Sequence, residues 1–111
     1  MNLTTVVQDG VTLVTVNAMR IDAAVAIRFK DLMREITRDC DGRVVLDLAQ
    51  VDFIDSSGLG AIVAAMKQLE DGARLELATL RPNVDKVFRL TRMDTVFPIH
   101  DGVAAAVVPH A

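Results

Sequence analysis

Tryptophan and tyrosine are absent from this 111-residue chain, and aromatic residues make up only 4% of it. Proteins that hold single-stranded nucleic acid stack bases on aromatic rings, so this scarcity argues against such a role. An excess of positive charge is missing too: 12 Lys and Arg face 15 Asp and Glu, a formal net charge of −3. Nothing forms the basic footprint that DNA or RNA requires, and any effect on gene expression has to run through another protein. Cysteine occurs once, at Cys40, which excludes an internal disulfide and a multi-thiolate metal site. A lone Cys near a helix end reads as a small hydrophobe. No apolar run approaches the roughly 18 residues that span a bilayer. The opening Met1-Asn2-Leu3-Thr4-Thr5 has neither the basic nor the apolar region of a secretory signal. These absences lead us to expect a cytoplasmic protein without direct membrane insertion, nucleic-acid partner, metal or cofactor.

What the chain does have is aliphatic: hydrophobic residues reach 51%, almost all Val, Leu, Ile, Ala and Met. That is enough for one core, and the length fits one domain over residues 1–111. Leu3–Val7 and Val11–Val16 read as strands, joined by Gln8-Asp9-Gly10, a strong hairpin signal. Asp22 is a candidate N-cap for an amphipathic helix of about four turns, with Val25, Phe29, Leu32, Met33 and Ile36 on its apolar side and Asp41-Gly42 after it. Arg43–Leu48 has the continuous apolar character of a strand covered on both faces. A second helix is expected from about Gly58 to Glu70, with Leu59, Ile62, Val63, Met66 and Leu69 as its buried stripe. Arg74–Ala78 alternates as a strand. Arg81-Pro82-Asn83 opens a third helix, with Val84, Val87, Phe88 and Leu90 on its apolar side. Val96–Ile99 reads as a short strand that Pro98 confines to an edge, and Gly102–Val108 as a final helical turn or two. Strands alternating with helices imply an α/β domain with parallel strands, and the hairpin makes its sheet mixed.

The chemistry concentrates in Val51-Asp52-Phe53-Ile54-Asp55-Ser56-Ser57-Gly58-Leu59-Gly60, where a buried strand hands over to a helix. The first helical turn presents unsatisfied N–H groups and the positive end of the macrodipole. The plainest role is structural: Asp55 or Ser56 caps the helix and Gly58 permits a tight turn. A phosphate-binding loop is excluded, because no Gly-Lys-Ser/Thr sequence occurs. A nucleophilic serine lacks the Gly-x-Ser-x-Gly arrangement and needs a histidine base. The only histidines are His100 and His110, near the C-terminus. A regulatory phosphoserine fits the position. Phosphate adds about −1.5 to −2 charges, which a helix N-terminus tolerates while a docked partner does not.

These residues resemble a known family. Asp55-Ser56-Ser57-Gly58-Leu59-Gly60, preceded by Val51-Asp52-Phe53-Ile54, is similar to the signature of anti-sigma-factor antagonists, the small STAS domains of bacteria. The resemblance extends to Arg20-Ile21-Asp22-Ala23-Ala24, to Arg43–Leu48, and to Val87-Phe88-Arg89-Leu90-Thr91 with Val96–Ile99. It departs at Asn17-Ala18-Met19, where the family usually has a glycine. The resemblance implies a mixed four- to five-stranded sheet with helices mainly on one face, and a binding protein rather than an enzyme. It implies phosphorylation of Ser56, with Ser57 the second choice, by a partner that is both anti-sigma factor and serine-threonine kinase. A metal-dependent serine phosphatase would reset the switch. Asp22 matches an acidic position that engages the kinase. A different implied role is a docking subunit of a lipid-transport ABC complex or a sensory scaffold.

The second helix offers a surface beside that serine. Gly60, Ala61 and Ala64, with Lys67 and Gln68, are expected opposite its buried stripe, on a bare face that another backbone can approach. The expected partner-binding set is Asp22, Asp55, Ser56, Ser57, Gly58, Gly60, Ala61 and Ala64. No long heptad or exposed aromatic patch argues for a stable oligomer, which leaves a monomer or weak dimer.

Overall fold

A computed structural model describes residues 1–108, so His110 lies outside the described residues. Strands β1 (Leu3–Gln8) and β2 (Val11–Val16) pair antiparallel, and Gln8 opposes Val11 across the turn. Asp9 and Gly10 both take positive φ, 52° and 79°, as a tight hairpin turn requires. After β2 come β3 (Arg20–Ile21), α1 (Ala26–Thr37), β4 (Arg43–Asp47), β5 (Phe53–Ile54) and α2 (Ser56–Lys67). Then follow β6 (Arg74–Ala78), α3 (Pro82–Leu90), a 3₁₀ turn at Met93–Thr95, β7 (Ile99–His100) and α4 (Val103–Ala106). The main sheet has five strands in the order β1-β2-β4-β6-β7, parallel from β2 onward. It is the mixed sheet expected.

Alternation along the central strands sorts side chains to the two faces. Val14, Val16, Val44, Leu46, Leu75 and Leu77 join Phe29 and Met33 of α1, Ile62 of α2, and Val84 and Phe88 of α3 in the main core. Phe88 and Phe97 close its end edge-to-face, 6.0 Å between centroids. The opposite face is smaller: Val11, Val45 and Ala78 pack with Ala106 of α4. Helices therefore cover mainly one face, with α4 alone on the other.

Some boundaries and faces differ from expectation. Leu90 is 78% exposed, because α3 turns only Val84 and Phe88 fully inward. The last strand is shifted to Ile99–His100, since Phe97 is spent in the core. A separate parallel ladder, β3 with β5, has only two residues per strand. Cys40 is half-buried, its Sγ 3.5 Å from Thr12 Oγ1. Among the described residues no helix is long and apolar enough to cross a membrane.

Candidate functional site

The first turn of α2 is organised by Asp55. This residue is extended (φ −104°, ψ −176°), and the Gly58 N–H donates to its Oδ1 at 2.8 Å. Asp55 is thus the cap, and Ser56 is the first residue inside the helix, two positions earlier than expected. The other carboxylate oxygen faces the β3–α1 loop: the Ala23 N–H donates to Asp55 Oδ2 at 3.1 Å. The Gly58 hydrogen bond holds the Asp55 carboxyl below its ordinary range. Burial opposes this, and the amides of Ala23, Ser57 and Asp55 itself reinforce it.

Asp22 lies in that same loop but does not cap α1. Its Oδ1 accepts the Ala24 N–H at 3.2 Å, its Oδ2 pairs with Arg20 Nε at 3.2 Å, and its carbonyl accepts the Val25 N–H at 3.1 Å. An Asp side chain that bonds its local backbone builds a turn in place of helix. α1 accordingly begins at Ala26, preceded by Val25 with no side-chain cap. The loop carrying Asp22 is joined to the serine segment through Ala23 and Asp55.

Gly58 is fixed by packing. A Cβ there would lie 1.9 Å from the Ile21 carbonyl oxygen, so the mouth of α2 rests directly on β3. Gly60 is different: it is exposed, and a Cβ there would meet nothing within 4 Å. Ser56 and Ser57 are both exposed.

The inner face of α2 is narrower than its hydrophobicity pattern indicates. Gly58, Ala61, Ile62 and Ala65 are buried, whereas Leu59, Val63 and Met66 are only partly so. Ala61, expected on the bare outer face, is 2% exposed. Small residues turn inward because α1 and β3 approach α2 closely. Ala64 is half-buried, and Gly60 remains on the outer surface with the serines.

Four nearby residues, Arg20, Phe53, Met19 and Ala23, were not expected to contribute to the site. Arg20 stacks over Phe53, its guanidinium 4.1 Å from the ring centroid, and the two are register partners across β3 and β5. Met19 beside them is 66% exposed. Strands of two residues are too short to show periodicity. Ala23 contributes only its backbone N–H, which no side-chain pattern announces.

A second polar cluster lies on the α4 face of the sheet. Glu76 is fully buried and accepts from Arg43 Nε and Nη2 at 3.0 and 2.7 Å and from Arg74 Nε at 3.0 Å. His100 Nε2 lies 2.7 Å from Glu76 Oε1. Burial alone raises a carboxyl, but hydrogen bonds from Arg43, His100 and Arg74 reverse this and hold Glu76 at about 2. Arg43 Nη2 also donates to the carbonyl of Ala106, tying α4 to β4. His100 is therefore engaged at this cluster.

The arrangement places an exposed hydroxyl at the positive end of a helix, on a backbone clamped to its neighbouring loop. It can accept a phosphoryl group without displacing a buried contact. The chain belongs to the STAS domain family, whose model matches residues 2–106. It is 38% identical over 65 residues to BtrV of Bordetella bronchiseptica, described as a candidate anti-sigma factor antagonist. That match covers 58% of this chain and 56% of the relative, so the chain spans little more than half of that protein. An anti-sigma factor antagonist from Mycobacterium paratuberculosis superimposes with a TM-score of 0.85 at 24% identity, over 96% of this chain and 90% of that one. The Bacillus cell fate determinant SpoIIAA in its phosphorylated form gives a TM-score of 0.67 at 16% identity, over 96% of both chains. At these identities the two structures show the fold alone.

Proposed function

We propose that this protein is a phospho-switched antagonist of an anti-sigma factor. In its unmodified form it binds a partner that is both anti-sigma factor and serine-threonine kinase. Phosphorylation of Ser56 releases it, and a metal-dependent serine phosphatase restores the binding form. The role is regulatory binding without turnover, in the cytoplasm.

The observation that carries this reading is the exposed Ser56 at the first position of α2, with Asp55 bound to both Gly58 and Ala23. The carboxylate fastens the serine segment to the loop of Asp22, so a partner meets both as one surface. Gly60 keeps the adjoining surface open without being required by internal packing. Phosphate on Ser56 is accommodated by the helix dipole but adds bulk and charge where the partner sits. A relative that matches by sequence, and not by fold alone, carries the antagonist name, which favours this role over a docking subunit of a transporter or scaffold.

The test is incubation of the full chain with the candidate kinase and ATP, followed by intact-mass measurement and peptide mapping. One phosphoryl group on Ser56, lost in Ser56→Ala and kept in Ser57→Ala, supports the assignment. Modification that persists in Ser56→Ala refutes it.

A further inference from the structure

The main sheet ends differently at its two edges. β7 has two residues, follows Pro98 and precedes Asp101. Shortness, proline and charge are the means by which natural edges avoid pairing further. β1 has none of them: its six residues, Leu-Thr-Thr-Val-Val-Gln, include no charge and no proline. Val6 and Val7 are 51% and 71% exposed.

The hairpin register fixes which backbone groups of β1 point outward. The Asn17 N–H donates to the Asn2 carbonyl at 2.9 Å, and Thr4, Val6 and Gln8 share the parity of Asn2 in the antiparallel ladder. Leu3, Thr5 and Val7 therefore direct their N–H and C=O groups away from β2.

We propose that β1 is a self-association edge, where a second copy of this chain adds its own β1 antiparallel about a two-fold axis at Thr5. Leu3 of each copy then opposes Val7 of the other, and Thr5 opposes Thr5. Each residue meets a compatible one, since apolar pairs and Thr–Thr pairs both stabilise antiparallel ladders. Charge favours a second copy along this strand in particular. The chain carries a net −3, so two copies repel each other generally, but none of residues 1–8 has an ionisable side chain. Pairing here opposes no like charges. A two-fold contact uses the same patch on both copies and closes at a dimer.

The experiment is sedimentation of the full chain across a concentration series, with Thr5→Lys and Thr5→Pro alongside. Thr5 is exposed and its N–H points outward, so neither substitution removes a β1–β2 hydrogen bond. The wild type is expected to form a concentration-dependent dimer, and Thr5→Lys to raise its dissociation constant at least about tenfold by setting two ammonium groups face to face. Backbone exchange of the wild type supplies a readout free of any substitution: the Leu3, Thr5 and Val7 amides slow as concentration rises. A wild type that stays monomeric up to about 1 mM overturns the proposal, whether or not β1 accepts a strand from another protein. So does a dimer that both variants leave undiminished.

Discussion

One carboxylate, that of Asp55, holds Ala23 of the β3–α1 loop at 3.1 Å and Gly58 of α2 at 2.8 Å. The two attachments use the two oxygens of one carboxylate, so losing the side chain releases both at once. Asp55→Ala should lower the melting temperature by roughly a few degrees through the lost cap. It should also speed amide exchange at Ala23 and Gly58 together. Hydrogen exchange resolved by residue checks this, and a faster Gly58 with an unchanged Ala23 would show that the loop is held by other means.

The glycines of α2 predict opposite signs for one substitution. Gly58→Ala drives a methyl into the Ile21 carbonyl, 1.9 Å from the new Cβ. Overpacking against backbone should cost about 1–3 kcal/mol or more. Gly60→Ala places the same methyl in open space and gains helix propensity, up to about 1 kcal/mol. Urea denaturation of the two variants measures both. If Gly60 serves as surface for a partner, the more stable Gly60→Ala protein should bind that partner more weakly.

Glu76 predicts a dependence on pH. Its folded-state value is about 2, below the ordinary 4.5. A lowered carboxyl stabilises the fold above its unfolded value, and that contribution disappears as pH falls from about 4.5 toward 2. Glu76→Gln should therefore destabilise the protein at pH 7, on the order of 3 kcal/mol, chiefly by leaving Arg43 without its counter-charge. The gap between variant and wild type should narrow below about pH 4. Urea midpoints at pH 7 and pH 3 test this, and a gap of the same size at both would contradict the assigned role.

Much of this architecture was legible because local chemistry decided it. Asp9-Gly10 dictated the hairpin, Pro82 opened α3, and the apolar character of Arg43–Leu48 marked a covered strand. The strand-to-helix setting of Ser56 was legible for the same reason. Features that depend on a distant neighbour were not. The buried face of α2 was legible only in part: Ile62 is in the core and Leu59, Val63, Met66 and Leu69 pack against it, but Ala61 was placed outside, because hydrophobicity ranks Leu59 and Val63 above Gly58 and Ala61 whereas close approach by α1 and β3 selects the small residues. Asp22 looked like a cap because its residue type is right for one, but its side chain is used within the preceding turn. Glu76 alternated with apolar residues as a solvent-facing position would, and α4 then covered that face of the sheet.

Under the proposed function, negative charge on Ser56 changes who docks and leaves the scaffold intact. The direct measurement compares full chain carrying phosphoserine at position 56 with unmodified chain, in paired thermal melts and titrations against the proposed anti-sigma kinase. The account predicts melting temperatures that agree within a few degrees and an affinity at least about tenfold weaker for the phosphorylated form. Equal affinities, or a phosphorylated chain that no longer folds, would contradict it.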